Sequence, residues 1–129
     1  MTAEADERDR PAANSCARTR SSGPFTVVEV SGEIDMATAG FVVEHLDAAT
    51  AVAEPDVLVD LRPVEFLDCS GLRALCRAER RARERGGRLR IVSDGPRIER
   101  LLRASGLLGR FPPLRTLPAP PGSADWRRT

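Results

Sequence analysis

The chain has 129 residues, 41% of them hydrophobic and 30% charged, which suits one domain with a core large enough to stand without disulfide or metal staples. No run of 18 apolar residues occurs, which excludes a transmembrane helix, and the charged start MTAEADERDR lacks the apolar stretch of a secretory signal, so the cytoplasm is the expected compartment. The net charge of +1 hides an asymmetry: residues 1–70 hold 14 acids against 5 arginines (−9), and residues 71–129 hold 15 arginines against 5 acids (+10).

All 20 basic residues are arginine, which reads as the coding bias of a GC-rich genome before it reads as nucleic-acid chemistry. Cys16, Cys69 and Cys76 have no metal-ligand spacing, and an odd count argues against a disulfide framework. With one histidine, His45, and no tyrosine, few groups remain for general acid–base work.

Residues 1–22 lack sustained periodicity and are expected to be a disordered lead-in, with a weakly patterned edge strand near 15–20. Ser21-Ser22-Gly23-Pro24 is a turn cluster, and the β-branched run 25–30 predicts a strand. Ser31-Gly32-Glu33-Ile34-Asp35 breaks it, with Asp35 placed to cap a helix. Apolar residues at Ala39, Val42, Val43, Leu46, Ala49 and Ala53 predict that helix over 36–53. Residues 57–61 form a strand, and Pro63 closes it. An exposed acidic loop leads to a second helix over about 70–85, stopped by Gly86-Gly87. Residues 88–92 alternate, with Leu89 and Ile91 facing one way and Arg88 and Arg90 the other, which predicts a strand with one wet face. Pro96 opens a third helix that Gly106 ends, and 114–117 is a candidate last strand. The Pro-rich end, residues 118–129, is expected to be a tail outside a domain spanning 23–117.

This order of elements with short connections predicts an α/β fold. Its sheet is mixed but mostly parallel, with four to five strands and helices mainly on one face.

The most informative segment is Val64-Glu65-Phe66-Leu67-Asp68-Cys69-Ser70-Gly71-Leu72. It sets a serine hydroxyl at the start of a helix, where free N–H groups and the helix dipole favour an anion. A phosphoryl group on Ser70 would add a charge of about −1.5 to −2 there. Gly71 removes a side chain beside the hydroxyl, leaving room for another protein's active site. From spacing alone the plainer role, Ser70 as the helix N-cap, is favoured over a switch.

Leu67-Asp68-Cys69-Ser70-Gly71-Leu72 resembles the signature of the STAS domain, named for sulfate transporters and anti-sigma factor antagonists. Val30-Ser31-Gly32-Glu33-Ile34-Asp35 resembles a second hallmark of that family, and the strand and helix after Gly87 fit as well. The resemblance covers roughly residues 25–117. It implies a STAS fold and a small anti-sigma factor antagonist, monomeric when free, that needs no cofactor and touches neither nucleic acid nor membrane. The implied partner is an anti-sigma factor that is also a serine kinase of the histidine-kinase-like ATPase type, bringing its own ATP and magnesium. The unphosphorylated antagonist captures it and releases a sigma factor. Phosphorylation at the position of Ser70 switches the antagonist off, and a phosphatase reverses this. The implied docking residues are Glu33, Asp35, Met36, Asp68, Cys69, Gly71, Leu72 and Arg73. The chain departs from the family pattern in carrying Cys69 where many members have serine, and a Pro-rich end where a helix is usual.

Two other functions compete. One is a STAS scaffold that works unphosphorylated, in a stress-signalling complex or as a subunit of a lipid transporter. The other is an enzyme, which the shortage of histidine, tyrosine and paired carboxylates disfavours. His45 is expected to be a surface or half-buried structural residue, and the arginines from Arg73 to Arg85 a solvated helix face without the aromatics of single-strand binders.

Overall fold

The computed structural model describes residues 10–119. β1 (Ala17–Ser22) and β2 (Phe25–Val30) form an antiparallel hairpin, and β4 (Asp56–Asp60) and β6 (Arg88–Val92) extend it in parallel, giving the strand order β1-β2-β4-β6. A separate parallel ribbon pairs β3 (Gly32–Ile34) with β5 (Val64–Leu67). Three helices complete the fold: α1 (Ala39–Ala49), α2 (Cys69–Glu84) and α3 (Pro96–Ala104). The expected α/β architecture is therefore present, with one antiparallel pair in a mostly parallel sheet.

Alternation along the strands divides the sheet into two faces. Val28, Val30, Val57, Val59, Leu89 and Ile91 point to the side where Val42 and Leu46 of α1, Leu72, Leu75 and Ala78 of α2, and Ile98 and Leu102 of α3 complete the main core. Phe25, Val27 and Leu58 point to the other side, which carries no helix and is covered by Leu114 and Leu117. On that face the Arg90 guanidinium lies over the Phe25 ring, 5.6 Å from its centroid, and 3.5 Å from Asp56.

Several expectations need correction. The lead-in does not run to residue 22, because β1 already occupies Ala17–Ser22 and pairs along its whole length with β2. Its alternation is masked in the sequence by arginines on the open face. Residues 1–9 and 120–129 of the expected flanks lie outside the described residues. His45 is wholly buried, deeper than the surface or half-buried position expected of it. Its Nδ1 stands 2.6 Å from Thr19 Oγ1 on β1 and its Nε2 3.1 Å from the Ala12 carbonyl. The expected strand at 114–117 reduces to a single bridge between Val92 and Leu114.

The first helix is shorter than residues 36–53. Asp35 Oδ1 accepts from the Ala37 and Thr38 amides at 2.9 and 3.1 Å, which folds the chain into a turn before α1 begins. Asp35 thus organises the entry without being the N-cap, which is Thr38. At the other end Thr50 donates back to the Leu46 carbonyl at 2.8 Å and the helix stops at Ala49.

Candidate functional site

The short ribbon is what assembles the site. Gly32 leaves β2 with φ +83, a conformation that other residues rarely adopt, and turns the chain towards β5. The register then sets Glu33 opposite Phe66 and Ile34 opposite Leu67. Ile34 and Leu67 are buried; Glu33 and Phe66 face out. Just past this pair the Asp68 amide donates to the Ile34 carbonyl at 3.1 Å. The two sequence motifs, some thirty positions apart in the chain, are therefore stitched side by side, and Asp35 and Asp68 follow directly from paired residues.

Asp68 is the N-cap of α2. Its Oδ1 accepts from the Ser70 amide at 2.8 Å and from the Gly71 amide at 3.4 Å. This overturns the plainer reading of Ser70 as the cap: Ser70 is the second residue of the helix. Its hydroxyl has no hydrogen-bond partner among the described residues, and its side chain is half-buried. The helix therefore takes no capping hydrogen bond from that hydroxyl. Cys69, before it, and Arg73, three residues on, are exposed.

Two expected contact residues face the other way. Gly71 is buried, and a β-carbon there would meet Leu67 Cδ1 at 2.2 Å and Ile34 Cγ2 at 3.1 Å. The missing side chain makes room for the ribbon under α2, not for a visitor beside Ser70. Leu72 is buried in the main core. Both residues support the surface from below.

The exposed surface around Ser70 is acidic and apolar. Glu33 is exposed, Asp35 and Asp68 are half-buried, Met36 is 85% exposed and Phe66 49%. Phe66 is the residue that sequence reasoning overlooked. The available clue was its place between Glu65 and the inward-facing Leu67, which strand alternation turns outward. Next to it, at the end of β4, Arg62 grips Asp60 through both oxygens at 2.9 and 2.8 Å. Burial would raise the Asp60 pKa, but the Arg62 hydrogen bonds and charge outweigh it and hold the carboxyl below its ordinary value. Arg97 of α3 donates to the Glu65 carbonyl at 2.7 Å.

Beyond Arg73, the arginines of α2 are partly committed to partners within the fold. Arg77 and Arg81 pair with Asp47 of α1, and Arg83 with Glu79, so the run fastens helices together as well as facing solvent. Among the described residues no three His, Cys, Asp or Glu side chains gather as metal ligands, and no helix is long and apolar enough to cross a membrane.

The STAS domain family profile matches residues 17–118. The chain belongs to the STAS domain family. A Mycobacterium tuberculosis protein named as an anti-anti-sigma factor is 35% identical over 98 residues, covering 70% of this chain and 63% of its own length. An anti-sigma F factor antagonist of Paenibacillus polymyxa is 29% identical over 87 residues, covering 67% of this chain and 74% of its own. The crystal structure of an anti-sigma factor antagonist from Mycobacterium paratuberculosis superposes with a TM-score of 0.71 at 34% identity, covering 78% of this chain and 86% of that one. The chain thus spans less than two thirds of the length of the Mycobacterium tuberculosis relative. The STAS match begins at Ala17, the first residue of β1, so the hairpin strand belongs to the domain.

Proposed function

We propose that this STAS domain is an anti-sigma factor antagonist of the cytoplasm, not an enzyme. In its unmodified state it captures an anti-sigma factor of the serine-kinase type and so releases a sigma factor; phosphorylation at Ser70 ends the capture. The observation that carries this reading is the Ser70 hydroxyl, placed at the entrance of α2 with its capping duty taken by Asp68. The names of the relatives point the same way. The partner's ATP supplies the phosphoryl group: a bond forms between Ser70 Oγ and the γ-phosphorus, the bond to ADP breaks, and the serine proton passes to a base of the kinase.

The switch follows from electrostatics. Phosphate would bring about two negative charges to a surface that already carries Glu33, Asp35 and Asp68. Within a close contact, such an ion must be paired or desolvated at a cost, and each 1.4 kcal/mol weakens binding about tenfold. The test is intact mass and peptide mapping of the protein from its own cells, joined to binding of the unmodified and Ser70→Glu chains to the kinase. Phosphate on Ser70, with binding at least tenfold weaker for Ser70→Glu, is the expected result. A chain that is never modified, and that binds equally well as Ser70→Glu, would be a constitutive STAS scaffold.

A further inference from the structure

The outer face of the β3–β5 ribbon carries side chains that the fold does not use. Phe66 is 49% exposed and Phe41 of α1 43%, while Phe25 and Phe111 are buried at 7% and 1%; of the two exposed rings, only Phe66 lies on the ribbon. Glu33 stands opposite Phe66 in the register, and Met36, 85% exposed, follows on the same motif. Beside Phe66 a cleft of about 160 Å³ opens between β5 and the start of α3, with Val64, Pro96 and Arg97 in its walls. Phenylalanine and methionine are enriched at protein interfaces relative to the rest of a protein surface.

The charges define what would fit. Glu33 stands opposite Phe66, Asp35 and Asp68 follow the next paired residues of the two strands, and Glu65 is exposed on β5. Of the nearby guanidiniums, Arg62 is already paired with Asp60, so Arg73 and Arg97 are left against four carboxylates. The surface is therefore apolar at its centre and negative at its rim.

We infer that the docking surface of the proposed antagonist runs from Ser70 across the ribbon to the α3 side, with Phe66 as its apolar anchor. The fitting partner is an anti-sigma factor presenting an apolar pocket rimmed by arginine or lysine. This rests on the function proposed above and adds to it: the footprint extends beyond the helix entrance to an apolar anchor on β5.

The test is calorimetric titration of the full chain against the purified kinase domains of the source organism's anti-sigma factors. Phe66→Ala is expected to weaken binding at least tenfold, Phe66→Leu less, and Glu33→Arg to weaken binding and flatten its salt dependence. Thermal melts of the three variants should match that of the natural chain, since neither side chain is buried. Amide exchange on the natural complex should show protection over residues 64–67, a readout that needs no variant. Binding of Phe66→Ala within twofold of the natural chain, or no protection of β5, overturns the anchor while leaving the antagonist reading in place. If the natural, unphosphorylated chain binds none of the kinases, the antagonist reading itself falls and the anchor falls with it.

Discussion

At the scale of single residues, the duty of capping α2 falls to a residue other than Ser70. Asp68 caps α2, so Ser70 is spared; Gly71 lets the helix settle on Leu67 and Ile34. Asp60 does the same kind of work at the neighbouring strand end. Its side chain is 3% exposed and is neutralised by Arg62, whose backbone amide also donates to it at 3.1 Å. Because the carboxyl pKa is lowered on folding, the ionised form is the stabilising one. That contribution is present above the unfolded-state value of about 3.9 and is lost as pH falls through the still lower folded value. Asp60→Asn is expected to cost about 1–3 kcal/mol near neutrality, since it leaves the guanidinium without its charged acceptor. Urea midpoints measured from pH 7 down to pH 3 should draw closer for the two chains towards the acid end. A gap that stays constant with pH would mean the ion pair is not its source.

At the scale of elements, the parts of this fold legible in the sequence are those that bury a repeated pattern. β2, β4, β6, α2 and α3 lie within a residue or two of their expected bounds, because each presents several inward apolar residues to the sheet or the helices. β3 and β5 do not show, since segments of three and four residues offer too few alternations to rise above the loops around them. They matter most for the site, because their pairing brings the two motifs together. The identity of the cap turned on a shift of two positions, between Asp68 and Ser70, finer than boundary reasoning can resolve. β1 shows only weakly, as an edge strand near 15–20 that falls short of its true end at Ser22, because its inward residues are small or polar: Ala17 and Thr19. A single buried histidine fastens it instead. The Ala12 carbonyl can only accept, so in the neutral ring Nε2 donates to it and Nδ1 accepts from the Thr19 hydroxyl. His45→Leu would fill much of the space but leave both oxygens unpaired, at a cost of about 1–3 kcal/mol. Hydrogen exchange should then accelerate in β1 and at Ser31, whose amide bonds to Cys16, before it changes in β4 or β6. Uniform acceleration across the sheet would show instead that His45 supports the whole core.

At the scale of the molecule, the sheet's two faces are closed by different means. Three helices cover one, while the other depends on an irregular segment after α3. That segment is anchored by Phe111, 1% exposed, and by two backbone hydrogen bonds across β6, Leu114 N to Ile91 O at 3.0 Å and Ser93 N to Leu114 O at 2.7 Å. It then lays Leu114 and Leu117 over Phe25, Val27 and Leu58. Proline at positions 112, 113 and 118 keeps this stretch from forming a helix, so its hold comes from side-chain burial and those two bonds. A chain ending at Phe111 gives up both. The expected loss is about 2–4 kcal/mol, from two partly buried leucines and the hydrogen bonds they accompany. Dye binding to exposed apolar surface should rise along with the lower melting temperature, because Val27 and Leu58 are uncovered. The β3–β5 ribbon and the α2 entrance lie outside this contact, so affinity for the proposed anti-sigma partner should stay within about twofold at temperatures where the shortened chain is folded. A collapse of binding in the folded shortened chain would couple the helix-free face to the site and redraw the docking surface around both.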